Sequence, residues 1–494
     1  MAKTIPVLDL MFFLTETKNN PKHVAALMVF KRPDNAGSRY VAGLAAAYRK
    51  AIPVAPFNCV PEFSLLRMPR WVEARSLDMK YHVQHIALPE GATQDDLLEL
   101  IADLHPPLLD RNQPCFRVWF IEGLPDDTFA MFLKVHHAMV DGHSAIARIG
   151  ACLDARPDGR DVRPFFTVDP GGGEARPGKE RADTLVALKA VAVKQAVALK
   201  NLYLNLARKG VGRLTADANA DRGSAPFTAP RGPMNAPTLA ARSLATLSLP
   251  IGEMKAVGKA FGGTLNDVAV TIVDAGLTRY LRDRGLLPRE RLVAMCPLSL
   301  REAGDTEAAT KISALFVPLG QPNAAIGARM DQVMRATQSA KDELRAMSKD
   351  AAMLYAILAF GLGEVVDAIG TGTVARPIAN FVLSNVPGPR HDMYLRGSPM
   401  IGIFPVSALG AGIGLNVTLL SYSTTMDFGF VGNGTSMPAL DELARHTQAA
   451  FAALKREAAK RHPVPSSAGK PAAPARRSRA KPRPIVKRGA RPAA

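Results

Sequence analysis

Two adjacent histidines, His136 and His137, open the heptapeptide HHAMVDG and are followed at fixed spacing by Asp141 and Gly142. Histidine is the side chain whose ordinary pKa, about 6.5, suits proton abstraction near neutrality. An alcohol is a poor nucleophile until its proton has somewhere to go. A histidine at the end of a strand could take that proton while the hydroxyl oxygen attacks an acyl carbonyl. Asp141 followed by Gly142 suits a tight turn in which the carboxylate braces the loop or pairs with an arginine. Other readings compete, the first being a purely structural histidine pair. His136, His137, Asp141 and His143 lie close together, but their spacing matches no HExxH-like pattern, and no metal is expected. Gly142-His143-Ser144 begins like the nucleophile elbow of serine hydrolases, yet Ile146 stands where the elbow needs a second glycine.

The motif has to be held by its neighbours. FAMFLKV, just before it, reads as a strand, and HSAIARIGACL, just after it, reads as a helix. A polar cluster where a strand gives way to a helix is a common place for a site in mixed folds. Elsewhere before residue 160, KHVAALMVF and RVWFIEGL are strand-like, and DDLLELIADLH is helical by its 3–4 spacing. A Gly/Pro/Arg-rich stretch from ARPDGRDVRPFF to PGGGEARPGK reads as a linker. A long helix signal with basic residues follows from Thr184 to Lys209. Four prolines, Pro226, Pro230, Pro233 and Pro237, then lead into a second mixed half. That half should end in a hairpin, LNVTLLSYS with MDFGFVG around Thr424-Thr425, and a helix burying Leu440, Leu443, Phe451 and Leu454.

Of 494 residues, 62 are Lys or Arg and 44 are Asp or Glu, a formal net charge of +18. Nine of those eighteen excess charges lie beyond Pro463, in a Pro/Ala/Arg/Lys tail without one acid, so nine remain on the body. That is enough to favour anionic partners such as a CoA phosphate or a lipid surface. The tail is too poor in apolar residues to fold and reads as a tether to an anionic membrane or lipid-droplet surface; its lack of aromatics weakens any base-stacking role, so no nucleic acid is expected. The four cysteines are scattered without a CxxC pair, which fits a reducing compartment. No signal peptide is read in MAKTIPVLDLMFFL, whose apolar run Asp9 interrupts. The longest uncharged apolar stretch, 351–363, falls short of a membrane span. A cytoplasmic chain, at most peripheral to a membrane or lipid inclusion, is expected.

The HHxxxDG pattern in this setting resembles the wax ester synthase/diacylglycerol acyltransferase family. The resemblance runs from about residue 8 to 455 through FFLTETKNNPKHVAALMVF, WVEARSLDMKYHVQHIALP and LDRNQPCFRVWFIEGL. In the last of these, Pro114-Cys115-Phe116 stands in place of the family's Pro-Leu-Trp. It continues in GGTLNDVAVTIVDAGLTRYL, which holds the family's Asn-Asp pair as Asn266-Asp267, and in LSNVPGP, the Asn-Val-Pro-Gly-Pro block.

This resemblance implies an α/β fold of two chloramphenicol-acetyltransferase-like domains, residues 1–160 and 236–461. A crossover at 161–235 would join them, a basic tail at 462–494 would follow, and a channel would run between the domains. It implies transfer from acyl-CoA to diacylglycerol or a long-chain alcohol, without an acyl-enzyme or a further cofactor. His137 would be the general base, with His136 supporting it and Asp141 and Gly142 forming the turn. Asn266 would donate a hydrogen bond near the reacting carbonyl. Arg301 resembles the arginine that pairs with the motif aspartate. Asp267 reads as structural, since Thr264-Leu265-Asn266-Asp267 fits a capping box. Asn385, Pro387 and Gly388 would shape the pocket as a rigid turn. The alternatives are the same fold acting on another alcohol, or a lipid-binding relative without this reaction.

Overall fold

The computed structural model describes residues 3–64, 66–140, 142–169, 226–299, 312–347 and 376–461. The helix signal at 184–209, Asp141, Arg301 and the basic tail lie outside them. The first half contains β1 (Lys3–Thr4), α1 (Val7–Thr15), β2 (His23–Lys31), α2 (Tyr40–Lys50), β3 (Cys59–Glu62), β4 (Arg70–Glu73) and α3 (Met79–His82). It continues with β5 (Val83–Ala87), α4 (Gln94–Leu104), β6 (Phe116–Glu122), β7 (Thr128–His136) and α5 (Gly142–Cys152). The second half contains β8 (Arg242–Pro250), α6 (Ile251–Phe261), α7 (Leu265–Asp283), β9 (Val293–Ser299), β10 (Ile312–Pro318) and α8 (Ile326–Arg345). It ends with β11 (Phe381–Val386), β12 (Tyr394–Leu395), β13 (Ser398–Val406), β14 (Leu415–Tyr422), β15 (Thr425–Asn433) and α9 (Leu440–Arg461).

Each half is organised on a six-stranded mixed sheet, in the orders β12-β13-β2-β7-β6-β5 and β10-β9-β11-β14-β15-β8. A small sheet, β1-β4-β3, flanks the first. The near-continuous apolar run of β7 follows from burial on both faces, since every residue from Phe129 to His136 is buried. One face packs Met131 and Leu133 with α2's Leu44 and Tyr48. The other joins Leu27, Trp119 and Phe132 to α4's Leu97 and Ile101 and to Val431 of β15. In the second half the stripe Leu440, Leu443, Phe451 and Leu454 of α9 is buried as its spacing predicts, and β14 pairs with β15 as the expected hairpin.

The segment 394–406 departs from a division of the chain at 160 and 235. β13 pairs antiparallel with β2, so a piece of the second half completes the first half's sheet. It also binds the two sheets together. The Ile403 N–H donates to Asp427 of β15 at 2.9 Å, and a Cβ at Gly429 would overlap the Pro405 carbonyl. The sequence reading did not foresee this crossing.

Candidate active site

The motif begins where β7 ends. His136 is the last residue of β7 and pairs in register with His23, the first of β2. The His136 N–H donates to the Cys115 carbonyl, and the His137 N–H donates to the Lys22 carbonyl, each at 2.9 Å. The chain then turns, with Met139 N–H returning to His136 O, and enters α5 at Gly142. Both histidine backbones are thus anchored by the residues that lead into β2 and β6, from distant parts of the first half.

The two rings have different surroundings. His136 is 1% exposed and stacks on Phe13 at 4.1 Å, while Nδ1 accepts a hydrogen bond from the Ala138 N–H at 3.2 Å. With that lone pair engaged, the ring proton belongs on Nε2, which stands 3.5 Å from the Glu16 carboxylate. His137 is only partly buried and stacks on Phe12, centroids 4.1 Å apart and planes inclined by 17°. Two consecutive phenylalanines of α1 therefore set both rings.

Glu16, at the C-terminal end of α1, was not singled out from sequence. Its side chain is 1% exposed and accepts from the Lys22 N–H and from Arg111 Nη2, both at 3.0 Å. Burial alone would raise its pKa. The His136 ring, the Lys22 amide and Arg111 outweigh that and hold it at about 2. Since the same Lys22 bonds His137 through its carbonyl, Glu16 braces the backbone of one histidine and the ring of the other. Further along the same region, burial and the charge of Arg117 bring Lys134 down to about 7, its ammonium donating to the Leu104 and Pro107 carbonyls. Burial, foremost, also keeps His23 and His105 well below the ordinary histidine value. A lone carboxylate, phenylalanine pair or lysine carries no periodic signal. What marked this stretch in the sequence was FFLTETKNNPKH as a whole, without a role for any one residue.

Gly142, at the mouth of α5, faces the second half: a Cβ built on it would stand 3.9 Å from Val386 Cγ2. The structure thereby brings the histidine motif and the Asn385–Pro389 block together. The block is less of a turn than expected. Asn385 and Val386 still belong to β11, held extended by the parallel ladder to Leu419 and Leu420 of β14, while β9 pairs only with Phe381 and Val382 at the start of the strand. Only from Pro387 does the chain turn away. There the Gly388 N–H donates to Ser421 Oγ at 3.1 Å, and any Cβ on Gly388 would run into Ser421's carbonyl.

Asn266 and Asp267 sit in the first turn of α7. Asp267 completes a capping box with Thr264, accepting from its N–H and hydroxyl at 2.8 and 2.7 Å. Asn266 is half-buried, and among the described residues no hydrogen bond ties it to the histidines. The pairing of Asp141 with Arg301 falls outside the described residues. Among those residues no cluster of His, Cys, Asp and Glu could hold a metal ion, and no helix is long and apolar enough to cross a membrane.

Comparison with known proteins adds to this geometry. The family model for the wax ester synthase/diacylglycerol acyltransferase catalytic domain matches residues 6–269, and the model for the C-terminal domain of the same family matches 309–455. The chain is 32% identical over 480 residues to a probable diacylglycerol O-acyltransferase of Mycobacterium tuberculosis, covering 95% of this chain and all of the relative. It is 29% identical to the O-acyltransferase WSD of Acinetobacter baylyi, covering 89% and 94% of the two chains. Its fold is similar to that of the wax ester synthase/diacylglycerol acyltransferase from Marinobacter aquaeolei VT8, with a TM-score of 0.73 at 28% identity over 92% and 99% of the two chains. The starter condensation domain of rhizomide synthetase shares the fold at 15% identity and a TM-score of 0.51, covering 93% and 94%.

Proposed function

Since the chain belongs to the wax ester synthase/diacylglycerol acyltransferase family, we propose that it moves an acyl group from acyl-CoA to diacylglycerol or a long-chain alcohol with His137 as general base. The observation that carries the choice of base is the contrast between the two rings. His136 has its Nδ1 lone pair engaged by Ala138 and its Nε2 turned to buried Glu16, so it has no site left to accept a proton from a substrate. His137 is held at the backbone and along one ring face, and unlike His136 it is only partly buried.

In this reading a ring nitrogen of His137 takes the acceptor's hydroxyl proton as the oxygen attacks the thioester carbon. Negative charge develops on the carbonyl oxygen, and Asn266 with backbone N–H groups would stabilise it. The C–S bond then breaks, and the CoA thiolate recovers the proton from the imidazolium, leaving ester and free CoA. The proton balance closes on one histidine, so the route calls for neither a metal nor an acyl-enzyme. Val386 opposite Gly142 supports a site roofed by the second half, with Asn385, Pro387 and Gly388 shaping it. The body's positive charge suits CoA's phosphates, and a peripheral place at a membrane or lipid inclusion suits a water-insoluble acceptor.

The test is direct. Purified protein with labelled palmitoyl-CoA is offered hexadecanol or dipalmitoylglycerol, and the lipids are separated by thin-layer chromatography. Label in wax ester or triacylglycerol supports the reading. Hydrolysis to free acid without ester in either case overturns it.

A further inference from the structure

Two short segments of the first half carry an unusual amount of exposed apolar surface. On α1, Met11 is 38% and Leu14 65% exposed, and at the tip between β3 and β4, Phe63 is 43% and Leu66 93% exposed. These are four of the eleven large apolar side chains exposed among the described residues. Isolated exposed apolar groups need no explanation, but a cluster does. The two segments form one lip, because Phe63 meets Phe13 edge-on at 5.7 Å and Arg111 lies over both rings. The other sides of α1 are the ones that stack on the histidines. One nine-residue helix thus has its outer side chains in solvent and its inner ones against the site.

The charge around the lip is one-sided. Lys3, Lys18 and Arg67 are exposed, and none has a carboxylate partner among the described residues. The nearby acids are engaged: Glu62 pairs with Arg70 at 2.5 Å, the Glu16 side chain is buried, and Asp9, in the first turn of α1, is half-buried with a partner of its own. Apolar side chains projecting from a cationic rim are the features that seat a protein in the interface of an anionic bilayer, the former entering the acyl boundary and the latter meeting the headgroups.

We propose that the lip formed by α1 and the β3–β4 tip seats the enzyme on an anionic lipid surface, so that a lipid acceptor passes beside α1 to His137 without crossing water. This rests on the acyl-transfer reading above and adds where the lipid phase meets the protein. The sequence reading gave the membrane role to the basic tail. The lip would act with it by apolar insertion, which salt does not screen.

The experiment uses the full chain and the double variant Leu14→Asp/Leu66→Asp. Flotation is measured with phosphatidylglycerol vesicles containing diacylglycerol, at about 0.5 M salt, where exposed charges are screened within roughly 4 Å. Ester formation is measured with the same vesicles and with butanol in solution. The variant is expected to lose at least about tenfold in flotation and in the vesicle rate, with the butanol rate within about twofold. Leu66→Ser, at the outermost position, should give a smaller loss of the same kind. Unchanged flotation would overturn the proposal. Equal loss on both acceptors would overturn it too, by placing these residues in the fold or the catalyst, as would a change in oligomeric state alone, by making the lip a contact between copies. If wild-type protein esterifies neither acceptor, the acyl-transfer reading fails while flotation still decides whether the lip binds lipid.

Discussion

Glu16 and His136 meet at 3.5 Å with both side chains 1% exposed, and the backbone of Lys22 links that pair to His137. The Glu16 pKa falls from 4.5 to about 2 in the folded protein. A depressed carboxylate contributes stability that is present above its unfolded pKa and is lost as pH falls through the folded one. Wild-type protein should therefore lose on the order of 3 kcal/mol between about pH 4.5 and 2 from this group. Glu16→Gln should be less stable near neutrality by roughly 2–4 kcal/mol, leaving Arg111 without its charge partner, and should lack that part of the acid dependence. Denaturant unfolding of both proteins across this pH range checks it; parallel curves would show that the pair contributes nothing.

Phe12 should act on the rate rather than on the fold. Its ring lies on His137 at 4.1 Å, and such stacking contributes about 0.5–1.5 kcal/mol beyond area burial. Phe12→Leu keeps most of the apolar volume and removes the stack. We expect kcat to fall roughly three- to tenfold, with the melting temperature within about 3 °C of wild type. A large melting shift with kcat per folded molecule unchanged would make Phe12 a core residue only.

The two motif glycines should respond in opposite ways to an added methyl. Gly142→Ala meets Val386 Cγ2 at 3.9 Å, an ordinary contact, and should fold normally. Gly388→Ala runs into backbone at Ser421 and side chain at Leu420, a clash that should cost about 1–3 kcal/mol. Thermal unfolding of the two variants separates them, and equal melting temperatures would contradict the packing described for β11 and β14.

Much of this was legible in the sequence because it repeats or clusters. FAMFLKV and the α9 stripe have the periodicity of a buried strand and an amphipathic helix, and both formed as read. Thr264 and Asp267 made the capping box that their spacing predicts. HHxxxDG stood out because its polar residues are adjacent. Glu16, Phe12 and Phe13 did not, since their importance comes from tertiary contact with a strand more than a hundred residues away. The same is true of β13: its alternation fits a strand, but nothing local says which sheet it joins. Asn385 and Val386 were taken for part of a turn because Pro and Gly follow them, whereas pairing with Leu419 and Leu420 of β14 keeps them extended.

The central claim is that His137, and not its neighbour, takes the hydroxyl proton. Steady-state turnover of His137→Ala and His136→Ala, measured on palmitoyl-CoA with hexadecanol and expressed per folded molecule, tests it most directly. Removing a general base costs typically about 10²–10⁴-fold in rate. His137→Ala should lose that much in kcat while its unfolding curve stays near wild type, because its ring is only partly buried. His136→Ala should lose stability first, by leaving a cavity against Phe13 and Glu16, and should retain the larger share of turnover once folded. Near-normal turnover of folded His137→Ala, or a greater loss of kcat in folded His136→Ala, would contradict the account.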